Sequence, residues 1–210
     1  MPRLSADTVS QLLREMNDFV SDYGTLKPTN TSLPTIIQGT AFFPGGSGLW
    51  RGREPFGALP EYFPEDSLMV VAHNFDKESS YLKSIVRGRE ELHGFWDRLI
   101  AYLDAARLEP QQCFFTNALM GLQPAKATGS MDASPFFREQ CRSFMNRQIE
   151  IIRPRRIAIL GNDAAEEMAH SITGIKADVL LHPSALTYKK GDLRAGIIAE
   201  QGSKLKRLWS

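Results

Sequence analysis

The chain has 210 residues, 42% of them hydrophobic and 23% charged, with 25 basic and 24 acidic side chains and a formal net charge of +1. This is ordinary composition for a globular α/β domain with a good core, and the global charge gives no support to nucleic-acid binding. No apolar run approaches the roughly 18 residues of a membrane span, and two cysteines, Cys113 and Cys141, are too few for a four-cysteine iron–sulfur cluster. The first residues, Met1 to Asp7, lack an apolar signal core, so no export and a cytoplasmic location are expected. Both cysteines lie in apolar segments, as buried thiols do.

Taken in chain order, Val9, Leu12, Leu13, Met16, Phe19, Val20 and Tyr23 recur at helical spacing and predict a helix over Ser5 to Tyr23. Lys27 to Asp66 is rich in Gly and Pro. Its aromatics Phe42, Phe43, Trp50 and Phe56, with Arg51 and Arg53 among glycines, read as an ordered wrapping loop. Ser67 to Ala72 reads as a buried strand, Gly94 to Arg107 as a helix and Gln112 to Leu119 as a second strand. A helix follows from Pro135, which suits a first turn, to Ile152. Arg155 to Leu160 is the third strand, leading into a helix over Asp163 to Thr173 with Asn162 as its cap. The apolar run Val179 to Leu181 is the fourth strand, ended by Pro183, and a last helix covers Leu193 to Leu208, interrupted by Gly196 and Gly202. Strands alternating with helices predict one α/β domain over residues 1–210, three-layered around a four-stranded parallel sheet.

Three strand ends then carry polar side chains: His73-Asn74, Asn117 and His182. The C-terminal ends of parallel strands share one edge, where open α/β sheets bind ligands. Neutral amides and imidazoles suit the edge of an uncharged planar base, and two histidines without a third ligand do not make a metal site. The charge is locally uneven. Six arginines face two glutamates between Arg138 and Arg156, and six Lys/Arg face two acids between His182 and Ser210. Such clusters can meet phosphates.

The series resembles the uracil-DNA glycosylase superfamily. The resemblance runs from about Leu68 to Leu186. Ala72-His73-Asn74-Phe75-Asp76 stands at the first family motif, Phe115-Thr116-Asn117 at a strand ending in asparagine, Ile157 to Gly161 at a strand that leads into a helix, and His182-Pro183-Ser184-Ala185-Leu186 at the last motif. The first motif departs from the family pattern, with Ala72 for its glycine and Phe75 for its proline. The resemblance implies excision of a base flipped from the DNA stack. Asn74 would position the attacking water and His182 would donate to the departing base; these are the expected catalytic residues. His73, Phe75, Asn117 and Ser184 are expected to bind substrate, Asn117 by reading the base edge and Ser184 by touching a phosphate. Leu186 would wedge into the stack, with Lys189 and Lys190 beside it on DNA. Phe75 or Tyr81 would be the stacking aromatic. Asn74 cannot act as a carboxylate base, and Asp76 is the nearest candidate to replace one.

The expected function is hydrolysis of the N-glycosidic bond of uracil or another damaged base in DNA, by a monomer without metal, iron–sulfur cluster, other cofactor or membrane partner. Two other readings stay open at this point: a non-catalytic nucleic-acid binder that keeps the fold, and an enzyme acting on a free nucleoside or other small planar ligand.

Overall fold

The structure is a computed structural model and describes residues 3–4, 11, 14–15, 48–50, 63–64, 66–87, 93–172 and 174–210. Of the expected N-terminal helix, Gln11, Arg14 and Glu15 are described, and they are helical. Of the Gly/Pro-rich loop, Gly48, Leu49, Trp50, Phe63, Pro64 and Asp66 are described; the rest of both segments, Arg51 and Arg53 included, lies outside the described residues.

Two short strands, β1 (Arg3–Leu4) and β2 (Phe63–Pro64), pair antiparallel. The main sheet holds β3 (Leu68–Ala72), β4 (Cys113–Asn117), β5 (Arg156–Leu160) and β6 (Ala177–Leu180) in the order β4-β3-β5-β6. All three pairings are parallel. Helices α1 (Glu78–Arg87), α2 (His93–Ala106), α3 (Pro135–Ile152), α4 (Asn162–Met168) and α5 (Gly191–Trp209) connect and cover it.

Alternation along each strand builds the three layers, because successive side chains leave opposite faces of the pleat. Met69 and Val71 pack with Phe114, Ile157 and Ile159 against Phe137, Phe144 and Met145 of α3 and Met168 of α4. Leu68, Val70 and Ala72 pack with Phe115, Ala158 and Leu180 against Leu99 and Leu103 of α2 and Leu205 and Leu208 of α5. Both faces are buried, so β3 reads as a continuous apolar run. Each fully buried large aliphatic contributes about 1.5–3 kcal/mol. Cys113 and Cys141 are free and buried; burial raises both thiol pKa values, that of Cys141 to about 12.

The expected fold class is the observed one, with local differences. α1 is not foreseen by the sequence reading. Its apolar residues Tyr81, Leu82, Ile85 and Val86 stand at helical spacing; Tyr81 is buried while Leu82 and Val86 are 54% and 87% exposed. α3 keeps its expected bounds: Ser134 Oγ accepts from Phe137 N–H, Pro135 occupies the first turn, and Arg153 ends the helix in the left-handed region. α4 stops at Met168, five residues early, as Ser171 N–H bonds Met168 O and Gly174 turns with φ +83 toward β6. Gly161, φ +88, takes its cap position in place of Asn162, with no side-chain cap bond. α5 runs through both glycines. A Cβ on Gly202 would sit 2.4 Å from Ala105 Cβ, so that glycine serves the close crossing of α5 over α2.

Candidate active site

The chain steps from β3 to β4 on one side and then crosses back to β5 on the other, so the strand order switches between β3 and β5. Crevices form at such points because the connecting helices leave on opposite faces. The last β3–β5 pair is Val71↔Ile159, after which the two chains part. Between β3 and β4 they stay joined: beyond Ala72↔Asn117, Ala118 N–H bonds Ala72 O, Leu119 N–H bonds His73 O, Phe75 N–H bonds Gly121 O and Gln123 N–H bonds Asp76 O.

A cleft of about 800 Å³ occupies the open side. His73, Asn74 and Asp76 come from the β3 end, Gly161 and Asp163 from the β5 end, His182 from the β6 end, and Gln201 from α5. The carboxylates Asp76, Asp163 and Glu200 and the ammonium groups of Lys77 and Lys204 also line it. Asp76 holds φ +68, a conformation that costs a non-glycine residue about 1 kcal/mol or more. Its Oδ2 accepts from Ser80 Oγ at 2.7 Å, and Asp163 Oδ2 accepts from Ser130 Oγ at 2.6 Å.

His182 begins the 3-10 turn Pro183–Leu186, and its Nδ1 accepts from Ser184 N–H at 3.2 Å. In the neutral ring the proton therefore sits on Nε2. Phe95 packs 5.5 Å from the imidazole, and behind it stand Trp96, Trp50 and Phe115 in successive ring contacts. Burial lowers the His182 pKa to about 4, helped by His73 and Arg98 and opposed by Asp163 and Asp76. Burial also lowers that of His73, with Asp163 opposing. Both rings are neutral at pH 7. Asn74 Nδ2 is buried and has no hydrogen-bond partner among the described residues.

The chain belongs to the uracil DNA glycosylase superfamily. The superfamily model matches residues 68–206, from β3 well into α5 and well over half of the chain. No curated protein matches it in sequence. The superfamily domain thus spans every element that lines the cleft. Among the described residues no helix is long and apolar enough to cross a membrane, and no three His, Cys, Asp or Glu residues group as metal ligands.

Of the expected site residues, the structure brings His73, Asn74 and His182 into one cleft, with Asp76 beside them. It does not bring Phe75, Asn117, Ser184 or Leu186 into it. Asn117 is 1% exposed and Phe75 4%, both held under the zipped β3–β4 extension. Tyr81, the other candidate stacking ring, is also buried. Ser184 is exposed and uses its N–H on His182. Lys189 and Lys190 are exposed past the turn. Leu186 is a correction: the expected wedge is fully buried, because the 3-10 turn folds its side chain back onto the α2–α5 core. The sequence reading missed Gln201, whose Oε1 accepts from Leu181 N–H at 2.9 Å where the β6 ladder ends. Its signal was a glutamine at helical spacing with the core-facing Ile197, Leu205 and Leu208.

Proposed function

We propose that the chain hydrolyses the N-glycosidic bond of uracil or another damaged base in DNA. The observation that carries this reading is His182: a neutral imidazole, low in pKa, with Nδ1 occupied by a backbone N–H and Nε2–H left to donate in the cleft. In this reaction the C1′–N bond breaks with its electron pair on the base, water oxygen bonds C1′, and the water's proton ends on the released base. A neutral donor aimed at the growing negative charge on a base oxygen lowers that barrier, most of all away from water. An imidazolium would also donate, but burial opposes it here.

Asn74 supports the second half of the chemistry. Its buried, unpartnered Nδ2 costs about 1–3 kcal/mol in the free protein. Its Oδ1 can hold the attacking water, but an amide takes no proton. The reading therefore expects slow turnover, with His73 forming the wall beside the base and Asn117 bracing the β3 end from the next strand. Ser184 serves His182 through its backbone.

The test is incubation with single-stranded and mismatched oligonucleotides carrying uracil, hypoxanthine or thymine, followed by alkaline cleavage of abasic sites. Strand scission with at least one lesion, lost in His182→Ala, is the expected result. Absence of abasic product with every lesion would overturn the reading.

A further inference from the structure

The proposed hydrolysis needs a group that takes a proton from the attacking water, and the Asn74 amide cannot do so. Two imidazoles share the cleft, and their surroundings set them apart. His182 uses its Nδ1 lone pair on Ser184 N–H, so its ring donates and does not accept. His73 is held by its backbone instead, with Leu119 N–H on His73 O at 2.8 Å. Neither nitrogen of its ring has a hydrogen-bond partner among the described residues. The neutral ring therefore keeps one nitrogen lone pair open to the cleft, next in the chain to Asn74.

Asp163 faces it from the neighbouring strand end. The last β3–β5 pair is Val71↔Ile159; His73 comes two residues after Val71 and Asp163 four after Ile159. A hydrogen-bonded strap fixes the carboxylate relative to the β3 end. Gln123 N–H bonds Asp76 O, Gln123 Nε2–H donates to Gly129 O at 3.0 Å, and Ser130 Oγ–H donates to Asp163 Oδ2 at 2.6 Å. The charged and titratable groups around His73 are Asp163 and Glu166 of α4, Arg138 of α3, which pairs with Glu167, and His182 of the β6 turn. Glu200 and Lys204 of α5 stand on the other wall, and Asp76 and Lys77 follow on its own segment. Burial lowers the His73 pKa, and Asp163 is the foremost charge that opposes it. The ring is thus free of its second proton at pH 7, and Asp163 favours the imidazolium once it forms. Near neutral pH an imidazole accepts a proton more readily than a carboxylate does.

We propose that His73 is the catalytic base of the cleft, taking the proton of the attacking water, and that Asp163 is the positioning carboxylate that stabilises the resulting imidazolium. This proton path rests on the proposed hydrolysis and completes it. A water O–H bond breaks, its proton goes to the open His73 nitrogen and its oxygen bonds C1′. The C1′–N bond breaks with its electron pair on the base, whose oxygen accepts from His182 Nε2–H. The imidazolium then gives its proton to the released base. Positive charge on the sugar and on His73 repel each other, and the Asp163 carboxylate offsets that repulsion.

The test is single-turnover excision from pH 4.5 to 8 with the lesion that the wild type accepts best. The rate is expected to be level near pH 7 and to fall about tenfold per pH unit below the His73 pKa, which lies under 6.5. His73→Gln, which can hold water and take no proton, lowers the plateau about 10²-fold or more and removes that limb. Free imidazole added to His73→Ala restores excision as its concentration rises. Asp163→Asn moves the limb to lower pH, because the ring loses the negative neighbour that raises its pKa. NMR titration of the His73 ring shows the same displacement. Loss of a merely structural contact would lower the melting temperature and move neither. A wild-type rate in His73→Gln, a limb that survives in it, or a His73 titration unchanged in Asp163→Asn overturns the base assignment and leaves the proposed function standing. No abasic product from the wild type with any lesion overturns both.

Discussion

The β3–β4 end and the β3–β5 end of the sheet start alike and finish differently. Each is the tip of a parallel strand pair with an asparagine on offer, Asn117 at the end of β4 and Asn74 just past β3. On the β4 side backbone hydrogen bonds continue past the strands as far as Glu78 N–H to Gln123 O, and Asn117 is sealed at 1% exposure. On the β5 side pairing stops at Val71↔Ile159, and Asn74 lines a cleft with His73 and His182. A polar strand end becomes a site only where its neighbour departs. Strand order decides that, and residue type does not.

The strongest way to break this comparison is to exchange the loss. His182→Ala is expected to reduce excision by about 10²–10³-fold with folding intact, as removal of one transition-state donor does. Asn117→Ala is expected to lower the melting temperature and leave kcat within tenfold. Single-turnover rates and melting curves for both check it, and the reverse pattern would put the working amide on the sealed side.

The pH response comes next. The His182 pKa is about 4 in the fold against about 6.5 in the open chain, so the unfolded state binds more protons between those values. Stability is full above pH 6.5 and falls as pH drops toward 4, by up to about 3 kcal/mol from this ring. Burial of His73 adds in the same direction. Urea titrations at pH 7 and pH 4.5 should show the loss, and His182→Gln should shrink it. An imidazole that titrates near 6.5 by NMR in the folded protein would mean the cleft wall is not dry.

Asn74→Leu sharpens the contrast on one residue. Removing a buried donor without a partner should raise stability by about 1–3 kcal/mol while excision is lost. A drop in stability would mean that the amide is satisfied in the fold.

The smallest effect is at the hinge of the open side. Gly161 holds φ +88, and a Cβ there would stand 3.2 Å from His182 Cβ. Gly161→Ala should cost about 1–2 kcal/mol and move the imidazole, visible as a raised His182 pKa.

Much of this was legible in the chain. The apolar runs at Leu68–Ala72, Cys113–Asn117 and Arg156–Leu160 announced buried strands, because both faces of a parallel sheet need apolar cover. Pro135 announced the start of α3 by suiting a first helical turn, and the structure adds the Ser134 cap. α1 was overlooked although Tyr81, Leu82, Ile85 and Val86 recur at helical spacing, in a segment of only 10 residues.

By itself, the sequence determined the alternation of strands and helices, the polar residues at three strand ends, and the His-Pro turn that takes up Nδ1 of His182. Those follow from local periodicity and local hydrogen bonding. Tertiary structure alone decided that β5 lies beside β3, that Asn74 opens on a cleft while Asn117 is sealed, and that Leu186 is core. These are outcomes of contacts between residues far apart in the chain, where packing chooses among side chains that local pattern treats as equal.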